Sequence, residues 1–321
     1  MSRASALREI ELVTDAELVR REVLHGLSRK PKHLPCKLFY DAAGSRLFER
    51  ICELDEYYLT RTELGILQRH VGEMAQAIGP RAVIVEFGSG ASVKTRLLLD
   101  ALENPKAYVP IDISHSFLLE SAAALRAAYP ALEVRPVSAD YTQPLELPIG
   151  QGETPIAAFF PGSTIGNFDP PDAVEFLRRI RSHCGRGGKL LIGVDLRKDR
   201  ATLEAAYDDR AGVTAEFNRN ILRVLNREHD ARFPVEEFAH RAVWNERAGR
   251  VEMHLVSTRA QDVPVDSVVV HFDAGERIVT EHCYKYDLDQ FRGLSHKAGF
   301  EVTRVWTDPE QRFSVQLWTV V

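Results

Sequence analysis

Residues 83–90 read "VIVEFGSG" and run straight into "ASVKTRLLLD" at 91–100. The apolar start suits a buried strand, two glycines punctuate it, and the following segment has helical spacing. A strand that ends on Gly88-Ser89-Gly90 before a helix lets backbone approach a ligand with no Cβ in the way, and a nucleotide is the first candidate. A dinucleotide fingerprint requires a third glycine for close helix–strand packing, but Val93 stands there, which argues against NAD. No GxxxxGK[ST] stretch occurs, so a P-loop is also out.

Outward from this turn the chain alternates strand and helix. "AYVPIDI" (107–113), "LEVRPVSAD" (132–140), "PIAAFFPGSTIG" (155–166) and "GGKLLIGVDL" (187–196) read as strands. "HSFLLESAAALRAAY" (115–129) and "PDAVEFLRRIRSHC" (171–184) read as helices between them. Short apolar runs alternating with helices imply a doubly wound, mostly parallel sheet covered on both faces. After Asp195 the rhythm changes: a helical stretch at 200–230, a hairpin turning near Glu246–Gly249, further strand to 286, a helix at 288–300, and two strands around Asp308-Pro309. Helices are also expected over 15–28 and 61–78, separated by a proline-interrupted segment. The expected division is a nucleotide-binding domain of 61–195 plus 286–321 and a discontinuous α+β domain of 1–60 plus 196–285.

The 321 residues are 45% hydrophobic and 27% charged, enough for a sizeable core. A net charge of -5 does not favour a nucleic-acid partner. Cys36, Cys52, Cys184 and Cys283 show no CxxC spacing, and the expectation is reduced thiols and no metal. The segment "MSRASALREIELV" lacks the apolar run of a signal peptide, and no stretch has the length of a membrane span. A cytoplasmic monomer with no membrane partner is expected.

Three acids end three successive strands: Glu86, Asp112 and Asp140. In an open parallel sheet they line one crevice beyond the strands' carboxyl ends. Asp112 suits two ribose hydroxyls, and Asp140 an adenine amino group with Tyr141 on the ring. The alternative is that these acids merely cap helices. The pattern resembles the class I S-adenosylmethionine-dependent methyltransferases, whose sheet has seven strands and ends in an antiparallel hairpin, as "TDPEQRF" (307–313) suggests here. The cofactor set is completed by Gly88, Gly90, Lys94, Gly162 and Thr164.

Longer segments narrow the resemblance. "KLFYDAAGSRLFERICELDEYYLTRTE" (37–63), "PGSTIGNF" (161–168), "YDDRAGVTAEFNRNIL" (207–222) and "TEHCYKY" (280–286) are similar to the histidine Nα-methyltransferases of ergothioneine biosynthesis, over nearly the whole chain from about residue 15. That resemblance implies three methyl transfers from S-adenosylmethionine to the α-amine of histidine, giving hercynine. It implies that Tyr57, Asn167 and Tyr207 hold the α-carboxylate and amine, neutral donors that do not repel a sulfonium. It places Tyr40 and Phe48 beside the amine and makes Tyr40 and Asn167 the catalytic residues, with the amine losing its proton through a tyrosine–water chain or before binding. Aromatic faces attract the final quaternary amine, which donates no hydrogen bond.

The resemblance further implies that Glu281 bonds the imidazole, with Met253 near the ring. A buried polar partner discriminates better than shape alone. Cys283 departs from the family's usual serine, and a thiol is the weaker hydrogen-bond partner. We expect it to change affinity and leave substrate identity intact. Strand alternation points His282 away from the face shared by Glu281 and Cys283. Two competing readings remain: an Nα-methyltransferase for another amino acid or small amine such as tryptophan, for which Cys283 is the support, and a cofactor-binding regulator without turnover.

Overall fold

The structure is a computed structural model and describes residues 15–90, 93–150, 152 and 155–321. In chain order it begins with α1 (Asp15–Ser28), β1 (Lys32–His33), a 3-10 turn (Cys36–Phe39), α2 (Ala42–Glu53) and α3 (Tyr58–Ile78). The alternating region follows: β2 (Val83–Phe87), α4 (Val93–Ala101), β3 (Ala107–Asp112), α5 (His115–Ala128), β4 (Glu133–Val134), β5 (Val137–Ser138) and β6 (Ile156–Phe160). A second 3-10 turn (Thr164–Asn167) leads to α6 (Pro170–Cys184) and β7 (Lys189–Asp195). Then come α7 (Arg200–Tyr207), α8 (Val213–Glu228), β8 (Phe238–Asn245), β9 (Arg250–Ser257), β10 (Gln261–Val265), β11 (Val268–Phe272) and β12 (Arg277–Tyr284). The chain closes with α9 (Leu288–Ala298), β13 (Phe300–Thr307) and β14 (Phe313–Val320).

The larger sheet runs β13-β14-β7-β6-β2-β3-β4, with β5 also paired to β3. With β4 and β5 counted as one broken strand, it has the seven positions expected. Only β14 runs antiparallel, to β7 and to β13. Strand order reverses at β2, which pairs with β3 on one side and β6 on the other, so Gly88 emerges at the topological switch point where such sheets bind ligands. Alternate residues of each strand feed two cores. Ile84, Tyr108 and Phe159 pack with Ile66, Met74 and Leu98 of α3 and α4, whereas Val85, Val109 and Phe160 pack with Phe176 and Phe291 of α6 and α9. A one-residue slip of β2 would exchange these sets, so burial on both faces pins the register.

A four-stranded sheet, β1-β12-β9-β8, and a β10–β11 pair form the second part. The ladder between β12 and β9 shifts between Val279 and Glu281, and a bulge of this kind re-aims the side chains that follow it.

Three expectations need correction. The strand at 132–140 is broken because Pro136 has no N–H to donate, although Arg135 N still reaches Tyr108 O at 2.9 Å. The helical stretch at 200–230 is two helices: Gly212 adopts φ 74° and the Asp209 carboxylate caps Val213 N and Thr214 N at 3.0 and 2.7 Å. The proline-interrupted segment contains a full helix, α2, started by Asp41, which accepts from Gly44 N at 2.7 Å. The signal-peptide reading rests on residues 1–14, which lie outside the described residues. Among the described residues no helix is long and apolar enough to cross a membrane.

The two sheets meet where the Thr164–Asn167 turn lies on β12. A Cβ on Gly166 would stand 2.7 Å from Tyr284 O and 3.3 Å from Tyr284 N. Backbone here touches backbone, so nothing flexible can yield. Gly166→Ala should therefore lower stability by about 1–3 kcal/mol. Urea unfolding reads this, and an unchanged midpoint would show that the turn moves freely away from β12.

Candidate active site

A cavity of about 1210 Å³ opens across the carboxyl ends of the larger sheet and continues to β12. Gly88, Gly90, Lys94, Asp112, Asp140, Tyr141, Gly162 and Thr164 line one end, and Tyr40, Phe48, Tyr57, Asn167, Tyr207, Met253, Glu281 and Cys283 the other. Every site residue named from the sequence thus faces one cavity.

At the sheet end, Gly88 and Gly90 take φ 75° and 47°, conformations that favour glycine. The Asp112 carboxylate accepts from Gly90 N at 3.1 Å and Ser114 N at 2.9 Å, so it fixes the turn as well as facing the cavity. Glu86 is less exposed than its place among three acids suggested: its carboxylate accepts from Thr95 Oγ1 at 2.6 Å and from Tyr108 OH. Burial pushes its carboxyl up to about 7 against those donors. Asp140 accepts from Thr142 N at 2.9 Å and pairs with Lys37 Nζ at 3.3 Å, a lysine from the first 3-10 turn that the sequence reading did not name. The Tyr141 ring is held against Phe87, Phe160 and Phe176, with centroids 6.2, 6.1 and 5.6 Å away.

Glu63 was also not anticipated. It is 1% exposed on α3, accepts Gly162 N–H at 2.9–3.0 Å on both oxygens, and pairs with Lys94 Nζ at 2.5 Å. The Gly162-Ser163 pair has φ of 82° and 59°, and Glu63 with the Ser163 hydroxyl pins that turn. Gly193 makes room for Glu63, since a Cβ there would fall 2.0 Å from its Oε1. These features fit an adenosyl-amino-acid cofactor: two open glycines, a carboxylate at the end of the next strand, and a lysine positioned beside the Gly162 turn.

The other end is aromatic. Tyr40 meets Phe48 at 5.9 Å, Phe48 meets Tyr57 at 6.2 Å, and Tyr57 meets Tyr207 at 6.0 Å, all edge to face. Phe217 of α8 joins Tyr40 and Phe48 at 5.8 and 5.9 Å. In the sequence its spacing was that of any core residue. Burial holds the Tyr40, Tyr57 and Tyr207 phenols well above their ordinary value, so all three stay protonated near neutrality. Burial likewise pushes the Cys36 thiol, in the cavity wall, up to about 12.

Glu281 stands beside Met253 across the β12–β9 ladder. Asn167 Nδ2 donates to Glu281 Oε1 at 3.0 Å, which joins two residues expected at opposite ends of a substrate. Burial raises the Glu281 carboxyl to about 7, opposed by Lys285 and by the Asn167 bond. Lys285 does not pair with Glu281; it reaches Asp195 Oδ2 at 2.8 Å. Cys283 Sγ lies 2.8 Å from Tyr207 OH. His282 turns from the face of Glu281 and Cys283 to Asp169, 3.0 Å from Nδ1.

The comparisons with known proteins agree with this geometry. A family described as "Histidine-specific methyltransferase, SAM-dependent" matches residues 19–320. The chain is 42% identical over 307 residues to a histidine N-alpha-methyltransferase of Mycolicibacterium smegmatis, covering 94% of this chain and 95% of that one. It is 42% identical to the protein of that name from Mycobacterium tuberculosis, covering 93% and 94%. It is 35% identical to ergothioneine biosynthesis protein 1 of Neurospora crassa, over 86% of this chain and 32% of that longer one. With a crevice at the switch point, an aromatic substrate end and this likeness along its length, the chain belongs to the S-adenosylmethionine-dependent, histidine-specific methyltransferases.

Proposed function

We propose that the protein methylates the α-amine of L-histidine three times to give hercynine, a step toward ergothioneine. The observation that carries this is Glu281: a buried carboxylate facing the cavity, bonded to Asn167 and flanked by Met253. When bound, S-adenosylmethionine supplies an activated methyl on a sulfonium. The chain's part is alignment and desolvation. Gly88, Gly90, Asp112, Asp140, Tyr141, Lys94, Gly162 and Thr164 hold the cofactor, and residues 61–195 with 286–321 form its domain. Residues 1–60 with 196–285 supply most of the substrate end. Asn167, Tyr57 and Tyr207 orient the carboxylate and amine as neutral donors. Because the phenols keep their protons, Tyr40 passes the amine's proton on only as it accepts one, through water. Tyr40, Phe48 and Phe217 present ring faces to the amine as it becomes quaternary. The same reading makes the protein a cytoplasmic monomer acting on a small molecule, with no nucleic-acid or membrane partner.

A second reading, methylation of another amino acid such as tryptophan, has one observation in its favour. The Cys283 sulfur is occupied by Tyr207 and Lys285 and offers a ring nitrogen little. An indole would leave Glu281 less well partnered, and that penalty favours histidine. Incubation with labelled S-adenosylmethionine and either amino acid decides: trimethylated histidine is expected, and faster turnover of tryptophan would overturn the assignment.

Asn167→Ala should weaken histidine binding about 10–100-fold, the loss of one hydrogen bond plus an unpaired Glu281. Unchanged turnover at low histidine would remove Asn167 from the site. Asp112→Ala should weaken the cofactor by a similar factor, read by calorimetry with S-adenosylhomocysteine. Glu281→Gln should weaken histidine binding and stabilise the free protein in alkali. The folded carboxyl sits at about 7 against 4.5, so its ionisation opposes folding. That penalty is absent below about 4.5 and complete above about 7. The stability gained by the variant should therefore grow between pH 5 and pH 8, by up to about 3 kcal/mol. Urea midpoints that move in parallel at both pH values would show an ordinary carboxylate.

A further inference from the structure

Lys285 is 1% exposed and contributes nothing to the cavity wall, yet its three N–H bonds all have partners next to it. Nζ lies 2.8 Å from Asp195 Oδ2, 2.8 Å from Tyr207 OH and 3.3 Å from Cys283 Sγ. Asp195 is itself fully buried and also takes Tyr58 OH at 2.8–2.9 Å and Lys198 Nζ at 2.7 Å. A buried ion pair is weak evidence of stabilisation, since apolar residues of similar volume often do as well. What distinguishes this one is that two of the ammonium's three acceptors, Tyr207 and Cys283, face the cavity.

We propose that Lys285 is a positioning residue for the substrate carboxylate, acting through Tyr207. This rests on the reading of Tyr207 as a carboxylate contact. An ammonium has three donors and no acceptor, so the Tyr207 oxygen must accept from Lys285. The hydroxyl hydrogen then has to point elsewhere, and its neighbour at 2.8 Å is Cys283 Sγ. A thiol sulfur is a weak acceptor, whereas a carboxylate accepts strongly. The hydroxyl thus rests on Cys283 and turns to an arriving carboxylate without losing a strong bond. Asp195 holds the ammonium in place, so Lys285 polarises Tyr207 as a donor without placing a cation in the cavity beside a sulfonium. Cys283, read from sequence as a weakened ring contact, becomes on this view the resting acceptor for Tyr207.

The test compares histidine with histamine, which has the same ring and amine but no carboxylate, by calorimetry on the full chain saturated with S-adenosylhomocysteine. Lys285→Met should cost histidine about ten-fold in affinity while histamine and S-adenosylhomocysteine change less than about two-fold. Equal losses for both amines would make Lys285 a structural residue and overturn the proposal. Should that variant not fold, Lys285→Gln, which keeps a neutral donor near Tyr207, decides in the same way: a loss confined to histidine supports the relay, and a loss shared with histamine refutes it. Two outcomes separate the proposal from the reading beneath it. Wild-type protein that binds histidine no better than histamine overturns the carboxylate reading and the proposal with it. Wild-type preference that survives unchanged in Lys285→Met overturns the role of Lys285 alone.

Discussion

The Asp195 carboxylate is the constraint on which the rest of the site depends. It ends β7 with no exposure, and its ligands come from three separate parts of the chain: Tyr58 at the start of α3, Lys198 just beyond β7, and Lys285 just after β12. Its own N–H donates to the Ser163 hydroxyl at 2.9 Å, so the turn after β6 is tied to the same point. Removing one partner of a buried charge costs about 3–5 kcal/mol, far more than a surface pair. Both sheets are therefore referenced to a single carboxylate, and the distance between the cofactor end and β12 has little freedom to drift.

A second charged group does similar work on the opposite wall. Glu63 holds the Gly162 turn and Lys94 together from inside the larger core. Lys37 crosses from the first 3-10 turn to Asp140, and Asp41 links α2 to α8 through Asn220 at 2.8 Å and Arg227 at 2.7 Å. The stretch carrying Tyr40 is thereby fixed at both its ends, and the start of α2, which carries Phe48, is fixed with it. The aromatic wall can stay apolar where Asp41, Asn220 and Arg227, which hold α2 against α8, do that polar work outside the cavity wall.

How much of this the sequence revealed depended on whether a residue's role was local. Gly88, Gly90 and Asp112 stand at strand ends within one βαβ unit, and strand–helix alternation placed them. Tyr57, Asn167, Tyr207 and Glu281 come from distant segments, and only the long family-like stretches grouped them. Glu63, Asp195, Lys285 and Lys37 were missed because their partners lie far along the chain; Glu63 meets Gly162 from 99 residues away. On a helix, Glu63 reads as a solvated charge, and nothing in "RTELG" signals burial. The break between α7 and α8 was missed because helical spacing resumes at Val213 after only five residues, where Gly212 and the Asp209 carboxylate start a new helix.

The thiols of the cavity wall have a chemical consequence. Sulfonium methyl groups alkylate soft nucleophiles readily, and the nucleophilic form of cysteine is the thiolate. Burial keeps Cys36 protonated up to about 12, and it raises Cys283 too, although Lys285 pulls the other way. An enzyme that handles a methylating agent beside its own sulfur atoms is thus guarded against modifying itself by burial that keeps those thiols protonated.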